Sequence, residues 1–137
     1  MITLHEAITR YGVEVDPHHE REAGIPIISG LQAQGDLIVV PAAQSLPVAT
    51  DPVPRSGVAV VRGESGGNTH LLLADGPVFF TPIHGSRSGL VLGVVTVPAG
   101  SIGYLAHPEH AYSGIAPGSY ELRRQREMAD EIRMVHD

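Results

Sequence analysis

From Gly57 to Gly118 the apolar residues come only in short runs, and nearly every run ends at a glycine, a proline or a small polar cluster. That punctuation leaves no room for a series of long helices. It dictates strands joined by tight turns. Residues 58–62, 69–73, 78–81, 90–97 and 102–106 read as strands on this pattern. Asp75-Gly76, placed between apolar runs, is a hairpin signal, because both residue types tolerate the backbone angles of a tight turn. Residues 90–97 are almost all apolar, as expected of a strand covered on both faces. Residues 119–127 alternate, with Tyr120 and Leu122 leading one face that passes into Arg124 and Arg126. Such a strand begins in the core and emerges at a polar groove or a sheet edge.

Upstream the pattern is looser. Residues 3–11 predict a short helix: Thr3 and Glu6 fit a capping box, Leu4, Ile8 and Tyr11 share one face, and Gly12 fits the stop. A helix this short must dock on something to persist. Residues 14–22 are polar and read as a solvated arm; His18 and His19 are adjacent, so on a strand they would point to opposite faces and chelate poorly. Residues 25–28 and 37–40 read as short strands. Residues 41–56 hold four prolines and lack periodicity, which predicts a long loop, or an arm that packs on another subunit. Beyond the last strand, 128–135 reads as a docked tail in preference to a helix.

Composition sets the outer bounds. A chain of 137 residues suits one domain, here 1–137, with 1–24 as N-terminal helix and arm. Cysteine is absent, which excludes disulfides and thiolate metal sites. The net charge of −6 argues against general nucleic-acid binding, which depends on neutralising phosphates. All nine basic residues are arginine, so lysine Schiff-base chemistry and a P-loop lysine are excluded. The sequence has neither a membrane-length apolar run nor a signal-peptide pattern, so the expected location is cytoplasmic, or a virion if the chain is phage-encoded.

Chemistry-bearing residues gather in two stretches. One is His107-Pro108-Glu109-His110. Pro108 disfavours helix at His107, so a turn leaving a strand brings the two imidazoles together. The other is Gly63-Glu64-Ser65-Gly66-Gly67-Asn68-Thr69-His70, a glycine-rich bend ending in a third histidine. His70, His107 and His110 would suit a single divalent ion, zinc or iron, with Glu64 or Glu109 as a fourth ligand or base. Asn68, two residues from His70 and so on its face, would then steady a ligand. The plainer alternative has the histidines capping a turn and bonding backbone groups, with no cofactor. Metal-free acid/base work is a third. Arg87, within Gly85-Ser86-Arg87-Ser88-Gly89, is a weak candidate for binding a small anion. Arg123, Arg124 and Arg126 sit among acidic residues, which predicts surface salt bridges on an edge strand.

With these residues in view, the chain resembles a group of short, uncharacterised bacterial and phage β-rich proteins. The matching segments are Gln34-Gly35-Asp36, Gly63-Glu64 with Gly67-Asn68-Thr69-His70, His107-Pro108-Glu109-His110, Pro117-Gly118-Ser119-Tyr120 and Arg124-Gln125-Arg126-Glu127. Asn68 stands where that group's pattern has its first histidine, which thins the ligand set. The resemblance implies a β-rich fold and a polar site, and brings no activity with it.

The expected fold is therefore all-β, a small barrel or two-sheet sandwich with a short N-terminal helix. Two functions compete. One is a non-enzymatic structural or assembly domain, phage or shell associated, forming homo-oligomers or meeting a protein assembly partner. The other is a His-ligated metal-binding protein, a small cupin-like or hydrolase-like enzyme.

Overall fold

The computed structural model describes residues 1–42, 48–61, 69–84 and 91–124. Among the described residues there are one helix and ten strands, and the strands make two five-stranded sheets packed face to face, a sandwich and not a closed barrel. In chain order the elements are α1 (Leu4–Tyr11), β1 (Ile27–Ile28), β2 (Gln32–Gln34), β3 (Leu37–Pro41), β4 (Val58–Val61), β5 (His70–Asp75), β6 (Phe79–Pro82), β7 (Val91–Val97), β8 (Ile102–His107), β9 (Ala111–Ile115) and β10 (Gly118–Arg124). The first sheet runs β1-β9-β8-β5-β4 and the second β2-β3-β10-β7-β6. Every pairing is antiparallel except that of β1 with β9.

Alternation builds the core. Leu72 and Leu105 from the first sheet meet Leu37, Val39, Val95, Tyr120 and Leu122 from the second, all nearly inaccessible. Burying each such side chain is worth about 1.5–3 kcal/mol. Leu73, Tyr104 and Ala106 point to the opposite face of the first sheet, where α1 covers them with Leu4, Ala7 and Ile8. Thr3 accepts from the Glu6 N–H, the Glu6 carboxylate accepts from the Thr3 N–H, and Gly12 closes the helix at φ +80°. The short helix thus docks, as its length requires.

Two segments depart from the sequence reading. The arm after α1 is not loosely solvated. Val15 is buried, Asp16 N–H donates to Pro108 O at 2.8 Å, and Tyr112 OH donates to Val13 O at 3.0 Å. Strand β10 is central, lying between β3 and β7, so its arginines are not on a sheet edge. Arg123 still pairs with Glu121 at 3.3 Å, because residues two apart share a face. Residues 48–56 of the proline-rich segment are loop as expected, and residues 49–53 run along β6 of the same chain. Val53 N–H donates to Val78 O, and Phe80 N–H to Asp51 O. The predicted C-terminal tail lies outside the described residues.

Pro117-Gly118-Ser119-Tyr120 has a structural explanation. Tyr120 OH donates to Ala116 O at 2.8 Å, folding the ring back over the turn that starts β10. Gly118, at φ +148°, leaves room for the ring: a Cβ there would lie 3.1 Å from the Tyr120 hydroxyl. The arrangement matches the tyrosine corner of β-sandwiches.

Candidate functional site

The site forms where the β2–β3 hairpin of one sheet closes over the ends of β5 and β8 in the other. Leu71 pairs with Ala106, so His70 and His107 stand one rung further on, opposite each other. Both share the parity of core residues Leu72 and Leu105, and both are buried. Their ring centroids are 4.3 Å apart. His110, on the exposed turn between β8 and β9, lies 4.6 Å from His107 and 6.3 Å from His70, its ring almost parallel to that of His70.

The structure brings the three histidines of the sequence reading near one another, but their hydrogen bonds give them different roles. His107 Nδ1 accepts from the backbone N–H of Glu109 at 3.1 Å and of His110 at 3.3 Å. Its proton therefore sits on Nε2, and His107 acts as a turn cap, the plainer alternative. Ala111 ends this turn at φ +65°, the left-handed region that non-glycine residues seldom occupy.

His70 is held by a residue the sequence analysis missed. Gln34, buried on β2, donates through Nε2 to Leu105 O at 3.0 Å and Ala111 O at 3.2 Å. That fixes its amide, so Oε1 faces His70 Nδ1 at 2.9 Å and accepts its proton. The other ring nitrogen, Nε2, lies 3.5 Å from the Asp36 carboxylate. Burial pushes His70 down to about 4, helped by the nearby His107; Asp36 opposes the shift only in part. At neutral pH His70 is thus neutral, with Nδ1–H toward Gln34 and a bare Nε2 toward Asp36.

Gly35 makes this approach possible. It sits in the two-residue turn of the hairpin at φ +60°, and a Cβ there would lie 2.9 Å from His110 Nε2 and 3.3 Å from His70 Cε1. The signal for these contacts was the Gln34-Gly35-Asp36 tripeptide itself, a polar stretch whose partners are far away in sequence. His19 also joins this end of the sandwich, its Nε2–H donating to Glu109 O at 2.7 Å. Glu109 presents an exposed side chain. Glu64, Asn68 and Arg87 lie outside the described residues. Among the described residues no group of three His, Asp or Glu side chains could hold a metal ion as it stands, and no helix is long and apolar enough to cross a membrane.

Fold and site together define a two-sheet β-sandwich with a short N-terminal helix and a polar cluster clamped between its sheets. The chain belongs to the family described as a domain of unknown function, DUF8820, whose match covers residues 33–125. That span takes in the β2–β3 hairpin from Ala33 onward, all three histidines and the strands that carry them. No curated protein and no solved structure matches the chain.

Proposed function

We propose that the domain is a non-enzymatic structural or assembly module that works as a homo-oligomer. The observation that carries this reading is the Gln34 clasp: one side chain on the second sheet bonds His70 and two backbone carbonyls of the first. His107 likewise spends Nδ1 on two turn N–H groups. Two of the histidines expected as metal ligands, His70 and His107, thus help to fix the two sheets and one turn. A buried polar network of this kind rigidifies a sandwich and helps set the pairing of its sheets.

Support for self-assembly comes from the margins of the sheets. Strand β4 ends the first sheet with β5 as its strand neighbour, and an edge of this kind invites a further strand. Leu31, 68% exposed, and Val48, 64% exposed, add apolar surface. Light scattering coupled to size exclusion tests the proposal directly. A defined oligomer over a broad concentration range is the expected result, and a monomer throughout would remove the assembly reading.

A further inference from the structure

The contact between His70 Nε2 and Asp36 is left over once the clasp is accounted for. Gln34 Oε1 accepts the Nδ1 proton, so in the neutral ring Nε2 carries the lone pair, and Nε2 stands 3.5 Å from a carboxylate oxygen of Asp36. Two electron-rich atoms at that distance repel unless something positive lies between them. The separation suits an ion. Metal bonds of about 2.0–2.1 Å to nitrogen and oxygen at a tetrahedral angle place the two atoms roughly 3.4 Å apart. His110 Nε2 and His70 Cε1 both lie close to Gly35, 2.9 Å and 3.3 Å from where a Cβ would stand, and the two rings are stacked 6.3 Å apart. His110 is also on the surface, where rotation of its side chain costs little.

We propose that His70 Nε2, Asp36 Oδ1 and His110 Nε2 form a seat for one divalent zinc-class ion, completed when the His110 ring turns inward. The ligand set differs from the one expected from sequence. Asp36 supplies the carboxylate, and His107 is a positioning residue whose Nδ1 holds the turn that carries His110. Gln34 does for His70 what outer partners do for most metal-bound imidazoles: it fixes the tautomer and aims the lone pair. Two histidines and one carboxylate are a common zinc set, with the remaining position left to solvent or to another chain. The seat is independent of the assembly reading, since a monomer could hold it equally well.

Titration of chelator-treated protein with zinc by calorimetry, and with cobalt(II) by visible absorption, tests the seat. One equivalent should bind, with a tetrahedral cobalt spectrum. Asp36→Asn and His110→Ala change partly exposed or exposed residues, so both should fold with unaltered circular dichroism. Each should weaken binding by more than the 10–100-fold that loss of an outer partner costs, and Gln34→Leu by about that outer-partner amount. His107→Asn, whose amide oxygen can still cap the turn, should retain the cobalt spectrum. Absence of stoichiometric binding in the unaltered protein would overturn the proposal. So would binding that survives both Asp36→Asn and His110→Ala, because the ion would then be held elsewhere, with His18 and His19 the first place to look.

Discussion

Gln34 and His70 stand on different sheets and are joined by a 2.9 Å hydrogen bond from the imidazole Nδ1 to the amide oxygen. The same amide donates to Leu105 O and Ala111 O, so one side chain satisfies three buried polar groups. Gln34→Leu keeps the volume and strands all three. Each unsatisfied buried group costs about 1–3 kcal/mol, and partial relaxation at the hairpin recovers some of it. A net loss of about 2–4 kcal/mol is expected in urea unfolding. A loss below about 1 kcal/mol would show that the clasp is incidental to the sandwich.

His107 offers a test of its role as a turn cap. His107→Ala removes the acceptor for two N–H groups and should cost about 1–2 kcal/mol. His107→Asn places an amide oxygen where the ring nitrogen was, a known way of bonding N–H groups two and three residues on. Thermal melts should therefore rank the Asn variant clearly above the Ala variant. Equal melting temperatures would mean that ring packing, not the cap, is what His107 contributes.

Local chemistry explains what could be read in advance. The helix was legible because Thr3, Glu6 and Gly12 carry its boundaries within one short stretch. Strands β4 to β8 were legible because apolar runs between turn residues are a local signal. Strand β2 was not, because Gln32-Ala33-Gln34 turns its polar residues inward, reversing the usual alternation. Their acceptors, Gly114 O for Gln32 and Leu105 O and Ala111 O for Gln34, lie more than seventy positions away. Strand β9 was hidden for a similar reason: Tyr112 and Ile115 are separated by Ser113 and Gly114, which shows no period of two. The histidines were found as a set because two stand at strand ends and the third on the turn that follows one of them. Their roles were not, since a tautomer depends on partners that only the fold supplies.

Ala111 at φ +65° makes an unusual prediction for glycine. Glycine in a strand normally weakens it, but a left-handed alanine carries strain that glycine lacks. Ala111→Gly should raise stability by about 0.5 kcal/mol, after allowing for the small methyl contact with the cluster under α1. A decrease of more than about 1 kcal/mol would mean that this contact outweighs the strain.

Tyr120→Phe isolates the corner. The ring stays buried against the core, and the hydroxyl loses its bond to Ala116 O and a long 3.5 Å bond to Pro117 O. A drop of about 1–1.5 kcal/mol is expected, the ordinary value for one such bond. Unfolding in guanidinium with an unchanged denaturant slope would attribute that drop to the native state. A Tyr120→Phe protein as stable as the original would contradict the corner.

The acid limit of the metal-free protein follows from His70. Burial, first of all, holds its folded value near 4, against about 6.5 in the unfolded chain. Between these values the unfolded state takes up a proton that the folded state refuses, so falling pH favours unfolding. The contribution is fully present above about pH 6.5 and is lost progressively as pH falls toward 4. At about 1.4 kcal/mol per unit the whole span is on the order of 3–4 kcal/mol. Urea unfolding of chelator-treated protein at stepped pH should show this slope. His70→Asn, whose Nδ2–H can still meet Gln34 Oε1, should flatten it. A slope between pH 6.5 and 4 that is identical in His70→Asn would assign the acid sensitivity to the carboxylates instead, and the neutral, Nδ1-protonated state of His70 would have to be abandoned.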